Sequence, residues 1–364
     1  MRATVRYLVF TFSRSTTVHV RPLLTLAVAG AAGAMLATSL PAQAPAAQAP
    51  QVTVGGVVFG QYLYQLKDSL GAGNQNQFSI QRAYLNVIGR FSGGLQTRVT
   101  ADIAPTGAGN QQFRLKYAYF GWTPTNSSLT YKLGLIQTPY IDFEETLWEY
   151  RMQGPIAVDR NGYMTSADFG AGIDGHWSGE QVTAQLAFVN GEGYSGGTGD
   201  NRKDIEARVS VRLSATNDNS RVGGLRLTGY AGIGKPNAGG TRNRFLGILS
   251  YKTQQITLGA EYAATKDSNT TVSIAEVTGG ILSAFGVYKL SNSKAAVIAR
   301  VDVLDPNTDV GNNKQTRVIG GVSYQATPNL RLLGDVDLLS FEGASTPLQD
   351  ATRQRALFQM QFTF

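Results

Sequence analysis

Apolar and polar residues alternate along most of this chain with a period of two. The pattern is clearest near the end, where one parity holds Ala356, Phe358, Met360, Phe362 and Phe364 and the other holds Arg355, Gln359, Gln361 and Thr363. Successive side chains of a strand point to opposite faces, so this segment has one apolar and one polar face. The alternation predicts sixteen strands, at 52–65, 78–91, 95–104, 112–122, 128–137, 166–177, 181–190, 203–214, 221–234, 242–252, 255–265, 280–290, 294–304, 315–326, 329–341 and 353–364.

The connections between these strands differ in length according to their order. After even-numbered strands they are short, at 92–94, 125–127, 178–180, 217–219, 291–293 and 327–328. After odd-numbered strands they are longer, at 67–77, 138–165, 191–202, 265–279, 305–314 and 342–351. Short turns opposite long loops, with an even strand number, are typical of an outer-membrane barrel. The sequence therefore predicts an all-β fold, a 16-stranded antiparallel transmembrane β-barrel.

The parity of each strand predicts which side chains face lipid. A lipid-facing Arg costs about 2–4 kcal/mol at mid-membrane, so we expect the apolar parity to face outward. On the first strands it holds Ala83, Leu85, Val87, Phe91, Leu95, Val99, Ala101, Ile103, Phe113, Leu115, Tyr117, Tyr119, Leu129, Tyr131, Leu133 and Leu135.

The opposite parity predicts a charged interior. A basic wall is expected from Arg82, Arg98, Arg114, Lys116, Lys132, Arg208, Arg212 and Arg226, and further inward bases are Arg300, Arg331 and Arg355. Inward acids are expected at Asp102, Asp168, Asp174, Glu206, Glu261, Asp302, Asp335 and Asp337. Because nearly every strand places a charge inside, we expect a wet rather than a packed interior. The wall could face anions, pair with acids across the lumen, or simply be solvated.

Residues 138–165 form by far the longest connection. Loops longer than about 12–15 residues are usually functional or disordered, and the aromatic and apolar residues of this one disfavour disorder. The third outer loop of a 16-stranded barrel typically folds inward, so we expect a constriction loop; an ordinary surface loop is the alternative. Its candidate site residues are Tyr140, Asp142, Glu144, Glu145, Glu149, Arg151 and Arg160.

The first residues predict a secretory signal peptide at 1–44. Four arginines and no acid precede an apolar run that ends in small residues, as in a signal peptide. A membrane anchor is the alternative. We place the cleavage site between residues 39 and 47. An Ala/Pro lead-in follows at 45–51, and the barrel at 52–364. Without those arginines the net charge falls from +7 to +3, which removes the main support for nucleic-acid binding.

Other chemistry has little support in the sequence. The chain has no cysteine, so disulfides and thiolate metal sites are excluded. His176 could belong to a Ser–His–Asp arrangement, but its parity points it into the lumen, and a polar lumen histidine is favoured. The glycine-rich segment 191–199 is expected to be a flexible outer loop. Residues 305–313 could hold Ca²⁺, although a solvated loop is favoured. We expect no catalytic residue, no metal and no cofactor.

Several segments resemble a known family. The terminal Phe364 looks like the signature of bacterial outer-membrane barrels. Residues 78–85 with Gly89, 134–140, 148–151, and 159–162 followed by 170–175 resemble motifs of the phosphate-selective porin O and P family, including its entry into and exit from the constriction loop. The chain departs from the family at Gln81, which replaces an arginine, and at Leu135, which replaces a glutamine. Four acids in 142–149 also weaken a phosphate filter, which needs dense Arg and Lys.

The resemblance implies an outer-membrane porin. Such a protein is a homotrimer in outer-membrane lipid and forms a water-filled channel for small hydrophilic solutes and ions, with anions or phosphate as candidate preferences. The alternatives are an outer-membrane barrel with a non-transport role, such as an adhesin or an enzyme, and a secreted soluble β-protein.

Overall fold

A computed structural model describes residues 49–67, 75–106, 109–196, 200–236, 239–269, 274–343 and 354–364. The predicted signal peptide at 1–44 and most of the lead-in lie outside these described residues. Parts of the predicted outer loops also lie outside them, at 68–74, 197–199, 270–273 and 344–353.

The described residues form a closed, all-antiparallel barrel of sixteen strands. Each strand pairs with its neighbours in the chain, and β1 pairs with β16 to close the sheet. The strands are β1 Gln51–Gln65, β2 Asn76–Arg90, β3 Leu95–Pro105, β4 Gln111–Trp122, β5 Leu129–Gln137, β6 Ala167–Trp177, β7 Val182–Val189, β8 Asp204–Ser214, β9 Gly224–Gly234, β10 Arg242–Lys252, β11 Ile256–Asn269, β12 Ile274–Lys289, β13 Ala295–Asp305, β14 Gln315–Thr327, β15 Leu330–Phe341 and β16 Gln354–Thr363. The predicted strand number and order are confirmed.

Three predicted strand ends are wrong. The long loop expected at 265–279 is mostly strand, because β11 and β12 continue pairing as far as Asn269 and Ile274. β9 begins at Gly224 rather than at Arg221, since Arg221 belongs to the preceding turn. The remaining strand ends agree with the alternation to within two residues.

Within the described residues, helical structure lies in connections between strands. A 3₁₀ turn spans Ser92–Gly94, and the long loop between β5 and β6 holds α1 Ile141–Trp148 and α2 Ala157–Arg160. α1 ends at Glu149, whose left-handed backbone (φ 63°) reverses the chain. Among the described residues, no helix is long and apolar enough to cross a membrane.

The outer face of the barrel is apolar. Exposed outward side chains recur around the strands, for example Phe78, Leu85, Val99, Phe113, Leu133, Phe169, Phe188, Leu227, Phe245, Leu258, Leu282, Val301, Val322 and Phe358. A closed sheet has no free edge, so an apolar outer band of this kind suits hydrocarbon surroundings.

β-Bulges change the parity within β4 and β2, and further register shifts lie near the ends of β8, β11 and β14. Thr100 pairs with Tyr117 while Ala101 pairs with Leu115, so Lys116 is an extra residue in β4. A bulge re-aims the side chains that follow it. Tyr117 is therefore buried and Phe120 is exposed instead.

The outward placement predicted for Tyr117, Tyr119 and Leu135 is wrong, and the bulge in β4 accounts for the two tyrosines. Tyr117 and Tyr119 face inward, as their contacts with Arg98 and Lys132 show. Leu135 is buried against Tyr117 rather than exposed. A second bulge in β2 pairs Phe59 with Arg82 but Gly60 with Ile80, which leaves Gln81 as the extra residue.

The hydrophobic core lies inside the barrel, between the long loop and one side of the sheet. The loop contributes Tyr140, Ile141, Phe143, Leu147, Trp148, Tyr150, Met152, Ile156, Ala157 and Val158. The sheet contributes what we call the packed wall, the inward residues Tyr230, Leu246, Ile248, Ala263, Ile281, Phe285, Val287, Ala296, Ile298 and Leu304. The prediction of a wet interior is wrong for this side of the barrel.

Candidate functional site in the barrel interior

The inward bases of β2–β5, Arg82, Arg98, Arg114, Lys116 and Lys132, lie on adjacent strands. We call these five residues the basic sector. Near the long-loop end of these strands, Asp102 accepts from Arg82 Nη1 at 2.8 Å and from Arg114 Nη2 at 3.2 Å. The phenol of Tyr194 donates to the same carboxylate oxygen, Oδ2, at 3.0 Å. One carboxylate is thus shared by two guanidinium groups and a phenol.

Tyrosine rings separate the cations of the basic sector. Arg98 lies 4.5 Å from the centroid of Tyr117, and Lys116 Nζ lies 4.7 Å from the ring of Tyr84 and 5.4 Å from that of Tyr117. Lys132 Nζ lies 5.4 Å from the Tyr119 ring. Cation–π contacts of this kind hold a charged group in place without neutralising it.

The cations of the sector differ in whether a carboxylate balances them. Lys132 forms an ion pair with Asp174. Arg98 donates to Asn86 Oδ1 at 3.0 Å and to Thr100 Oγ1 at 3.0 Å, which are neutral partners. Lys116 donates to the hydroxyl of Tyr84 at 3.4 Å. Within the described part of the chain, neither Arg98 nor Lys116 has a carboxylate in salt-bridge contact.

The other three bases of the predicted wall lie on β8 and β9 and bind backbone carbonyls. Arg208 donates to Pro139 O at 2.7 Å and lies over the ring of Phe143, so it holds the start of the long loop. Arg226 is fully buried and donates to Gly223 O at 3.0 Å and to Glu180 O. Arg212 donates to Gly179 O. The structure does not bring these three residues together with the basic sector.

The long loop crosses the barrel and docks on the far side. Trp148 is fully buried and packs edge-on against Phe285 of β12, with ring centroids 5.3 Å apart. Tyr140 packs on Tyr230 and donates its hydroxyl to Glu261 of β11. These contacts place the loop inside the barrel, as a constriction loop would be.

Of the four acids in 142–149, Glu144 and Glu149 contact bases of the docked side, and Asp142 contacts the β8–β9 turn. Glu144 is fully buried, with Oε1 3.7 Å from Nη2 of Arg300. Asp142 accepts from Arg221 Nη2 at 2.7 Å. Burial alone would raise the pKa of Asp142, but Arg221 outweighs it, and the pKa lies below its ordinary value. Asp142 thus anchors the loop by a charge-assisted hydrogen bond, whereas Glu144 is held in the buried cluster beside Arg300.

Glu149 completes the anchoring at the end of α1. Its two carboxylate oxygens accept from Lys252 Nζ at 2.7 Å and from Lys289 Nζ at 3.0 Å. Burial would raise the pKa of Glu149, but the two ammonium groups outweigh it and hold the pKa below its ordinary value. Arg331 donates to the backbone oxygen of Glu149 at 3.0 Å.

The remaining charged loop residues point away from these anchors. Glu145 accepts from Arg151 Nε at 2.6 Å. Burial raises the pKa of Asp159, although Arg151, Lys116 and Arg82 all act to lower it. Because Lys116 and Arg82 act on Asp159, this face of the loop lies within electrostatic reach of the basic sector.

Arg160, the last predicted loop residue, lies elsewhere on the loop. It lies 3.8 Å from Asp337 of β15 and donates to Gln153 Oε1 at 2.9 Å. Burial, together with the nearby Arg317, lowers the pKa of Arg160 to about 9.

A second connection also folds inward. In the loop after β7, expected to be a flexible outer loop, the amides of Gly191 and Gly193 donate to Asp168 Oδ2 at 2.7 and 3.1 Å. Tyr194 then reaches Asp102, and Ser195 Oγ accepts from Arg114 Nη1 at 3.1 Å. Sequence reasoning missed this loop, because its glycines signal only a turn.

The anchoring bases were missed for a different reason. Lys252 and Lys289 close β10 and β12 on the inward parity, a position that parity could have revealed. Their partner Glu149 is distant in sequence, so the pairing itself carries no local signal. Arg221 was predicted to lie in a strand and is a turn residue.

The histidine and the metal sites considered from the sequence are the remaining candidates. His176 Nδ1 lies 2.9 Å from Glu180 across the β6–β7 turn, and its side chain is 43% exposed. Within the described ranges, no group of three or more His, Cys, Asp or Glu side chains could hold a metal ion.

Comparison with known proteins gives a result for structure but not for sequence. No protein-family model matches the chain, and no curated protein matches its sequence. The fold is similar to an anion-selective porin from Comamonas acidovorans (TM-score 0.63, 14% identity, 87% of this chain and 100% of that one). It is also similar to OprB of Pseudomonas putida (0.62, 8%, 86% and 94%) and to the trimer form of OmpT of Vibrio cholerae (0.60, 12%, 87% and 100%). At these identities the comparison establishes a shared fold, that of 16-stranded porins.

Proposed function

We propose that this protein is an outer-membrane porin, a water-filled channel for passive diffusion of small hydrophilic solutes and ions, with a modest preference for anions. One observation carries the proposal. Five bases of β2–β5 point inward on one side of the barrel and have two carboxylates, Asp102 and Asp174, in salt-bridge contact among the described residues, while Glu144 and Glu149 of the loop contact bases of β10, β12 and β13. Cations therefore exceed carboxylates where a solute would pass between loop and wall.

The surroundings of the barrel support a membrane location. The apolar outer face fits hydrocarbon, and the predicted signal peptide fits export, so we place the protein in the outer membrane of a Gram-negative-type cell with outer-membrane lipid as its neighbour. A homotrimer is proposed because OmpT of Vibrio cholerae, which shares the fold, has a trimer form. Heat-modifiable mobility in detergent and chemical cross-linking test both points.

Planar-bilayer recording tests the channel itself. Purified, folded protein should give stepwise conductance, and a KCl gradient should give a reversal potential on the anion side. Protein unfolded by boiling is the control for detergent artefacts. A folded barrel that inserts without conductance would contradict the proposed function and favour a non-transport role.

Replacing Arg114 and Lys116 with Ala tests the basic sector. Two charges about 4 Å apart interact by about 1 kcal/mol in water and more strongly at lower dielectric, so this change should move the ion preference several-fold toward cations. Heat-modifiability should stay unchanged, because both side chains face the lumen. An unmoved reversal potential would place the permeating ions away from these residues.

A phosphate preference is the second candidate. The motif resemblance supports it, and Arg82, Arg151 and Arg160 lie in those motifs. However, Arg82 is held by Asp102 and Arg151 by Glu145, whereas a phosphate site needs free donors. Inorganic phosphate added to a chloride-conducting channel should block it at low concentration if the site selects phosphate. Equal effects of phosphate and sulfate would leave a general anion channel.

A further inference from the structure

Asp102 stands out among the inward carboxylates of the open side. It is completely buried on β3, directly opposite Arg114 of β4 and Tyr84 of β2 in the strand register. Two guanidinium groups contact it, and their side chains keep 19% and 24% exposure for Arg82 and Arg114 respectively. The carboxylate is thus hidden, while both cations still reach the lumen.

This arrangement differs from an ordinary structural ion pair. A single arginine would satisfy one buried carboxylate, and the result would be neutral. Here the second arginine leaves one positive charge in excess at the lumen surface. Asp102 therefore attenuates the field of the pair without cancelling it, and it does so from a position that a solute does not contact.

The loop acids do not fill the same role. Asp142, Glu144 and Glu149 bind bases of the opposite wall or of the β8–β9 turn, and Glu145 binds Arg151 of its own loop. Asp159 lies within electrostatic reach of Lys116 and Arg82, but it forms no ion pair with either of them in the described part of the chain. Asp174 balances Lys132, nearer the short-turn end of β5. In the described residues, Asp102 is the carboxylate in contact with Arg82 and Arg114.

We propose that Asp102 is a specificity-determining residue, a built-in counter-ion of Arg82 and Arg114 that sets how strongly the channel prefers anions. The inference rests on the proposed channel function and deepens it. It assigns the modest size of the preference to one buried side chain of the basic sector rather than to acids of the long loop.

The test is Asp102→Asn, which keeps the size and shape of the side chain and removes its charge. The amide oxygen still accepts from Arg82 or from Tyr194. The anion-to-cation permeability ratio, measured from reversal potentials in a KCl gradient, should rise about threefold, because a unit charge a few ångströms from the ion path is removed. The rise should shrink in 1 M salt, where the Debye length is about 3 Å.

Asp267→Asn is the matched control. Asp267 also pairs with an arginine, Arg244 at 2.8 Å, but it lies on β11, across the barrel from β3 in the strand order. The same loss of one negative charge there should change the ratio less than half as much. Equal effects of the two variants would mean that only total charge matters, which overturns the proposal.

A second pair of variants tests the same balance of charge, and its first member keeps Asp102 in place and so does not depend on the folding of Asp102→Asn. Arg114→Gln leaves Arg82 and Asp102 as a neutral pair, so the ratio should fall. Arg114→Gln combined with Asp102→Asn leaves Arg82 alone, with the same excess charge as the unsubstituted protein. The double variant should therefore recover the original ratio.

The outcomes separate this proposal from the channel function. If the variants form channels of normal conductance and the anion-to-cation permeability ratio does not change with the charge of residue 102, the proposed role of Asp102 is wrong and the porin function is unaffected. Absence of conductance from the unsubstituted, folded barrel would overturn the porin function itself.

Discussion

Two sides of this barrel use inward side chains in opposite ways. On β2–β5 the inward residues are mostly cations and tyrosines, and Tyr84 is the one of them that packs at the edge of the core formed by the long loop. On β9–β13 apolar inward residues form the packed wall, with buried charged residues such as Glu261 and Arg300 between them, and the loop covers it with Trp148, Tyr140 and their neighbours. Strand parity decides only that a side chain points inward. Whether it is wet or dry depends on what covers it.

The charges of the two sides also have different tasks. Lys252, Lys289 and Arg300 each contact an acid of the loop. Those ion pairs fix where the loop lies, and so they fix which side stays open. The basic sector keeps an excess of cations because, among the described residues, its five bases have two carboxylates in salt-bridge contact, Asp102 and Asp174. The same distribution of charge thus anchors the long loop on one side of the barrel and produces the ion preference on the other.

Trp148→Ala should have the largest effect on the docking of the long loop against the packed wall. Trp148 is fully buried between the loop and Phe285, and truncating a buried aromatic residue costs about 3–5 kcal/mol. We expect the loop to leave the packed wall part of the time, so that protease cleaves it in the folded barrel and the conductance becomes noisy. Limited proteolysis and single-channel recording measure both.

Trp177→Ala provides the control for that prediction. Trp177 is an exposed residue on the outward parity of β6, so its loss should leave loop cleavage unchanged. Equal cleavage rates in the two variants would show that the loop does not depend on the packed wall.

Alkaline pH should weaken the same anchoring to a smaller extent. Burial raises the pKa of Glu144 well above its ordinary value, and the neighbouring carboxylates Glu261 and Asp302 raise it further against the opposing effect of Arg300. Tyr140 also contacts Glu261 in this cluster. The docked loop thus holds the proton of Glu144 more tightly than a free loop would.

The sign of the effect follows from that difference. The stabilisation of docking is complete below the ordinary pKa of a glutamate and is lost as pH rises through the raised pKa of Glu144. Each tenfold difference in proton affinity between the docked and the free loop corresponds to about 1.4 kcal/mol. Loop cleavage by protease should therefore increase with pH. In Glu144→Gln, which cannot ionise, the pH dependence should be flat; a retained slope would assign it to another group.

Much of the fold was accessible from sequence because the alternation is a local signal. It located all sixteen strands. It failed where a bulge shifts the parity, and in β4 that failure had a visible sign. Phe113 and Leu115 lie on one parity, whereas Phe120 and Trp122 lie on the other. An apolar face that changes parity within a strand indicates a bulge, and it would have placed Tyr117 and Tyr119 inside.

The packed wall also left a signal that was not used. β12 is apolar on both parities, with Ile281 and Phe285 on one and Leu282 and Tyr288 on the other. A strand that is apolar on both faces is covered on both faces. What the sequence could not provide was the cover itself. Contacts such as Tyr140 with Glu261 join residues far apart in the chain, and only the closed barrel brings them together.

Tyr194→Phe should change the anion-to-cation permeability ratio least, and it separates the charge of Asp102 from its hydrogen bonding. The change removes the hydrogen bond from the phenol to Asp102 but leaves both arginines on the carboxylate. The amides of Gly191 and Gly193 still hold the loop on Asp168. Such a bond contributes about 1.5–3 kcal/mol at most when charged, and no charge changes in the cluster. The permeability ratio should therefore move by less than about 1.5-fold.

If Tyr194→Phe shifted the permeability ratio as much as Asp102→Asn does, the interpretation would change. Such a shift would mean that residue 102 acts by placing the β7–β8 loop over the basic sector rather than by its charge. The two sides of the barrel would then differ in which loop they hold, the long loop on the packed wall and the β7–β8 loop on the basic sector. A small shift, beside a large one for Asp102→Asn, assigns the ion preference of the open side to electrostatics, because the two variants disturb the same hydrogen-bonded group and only one of them alters its charge.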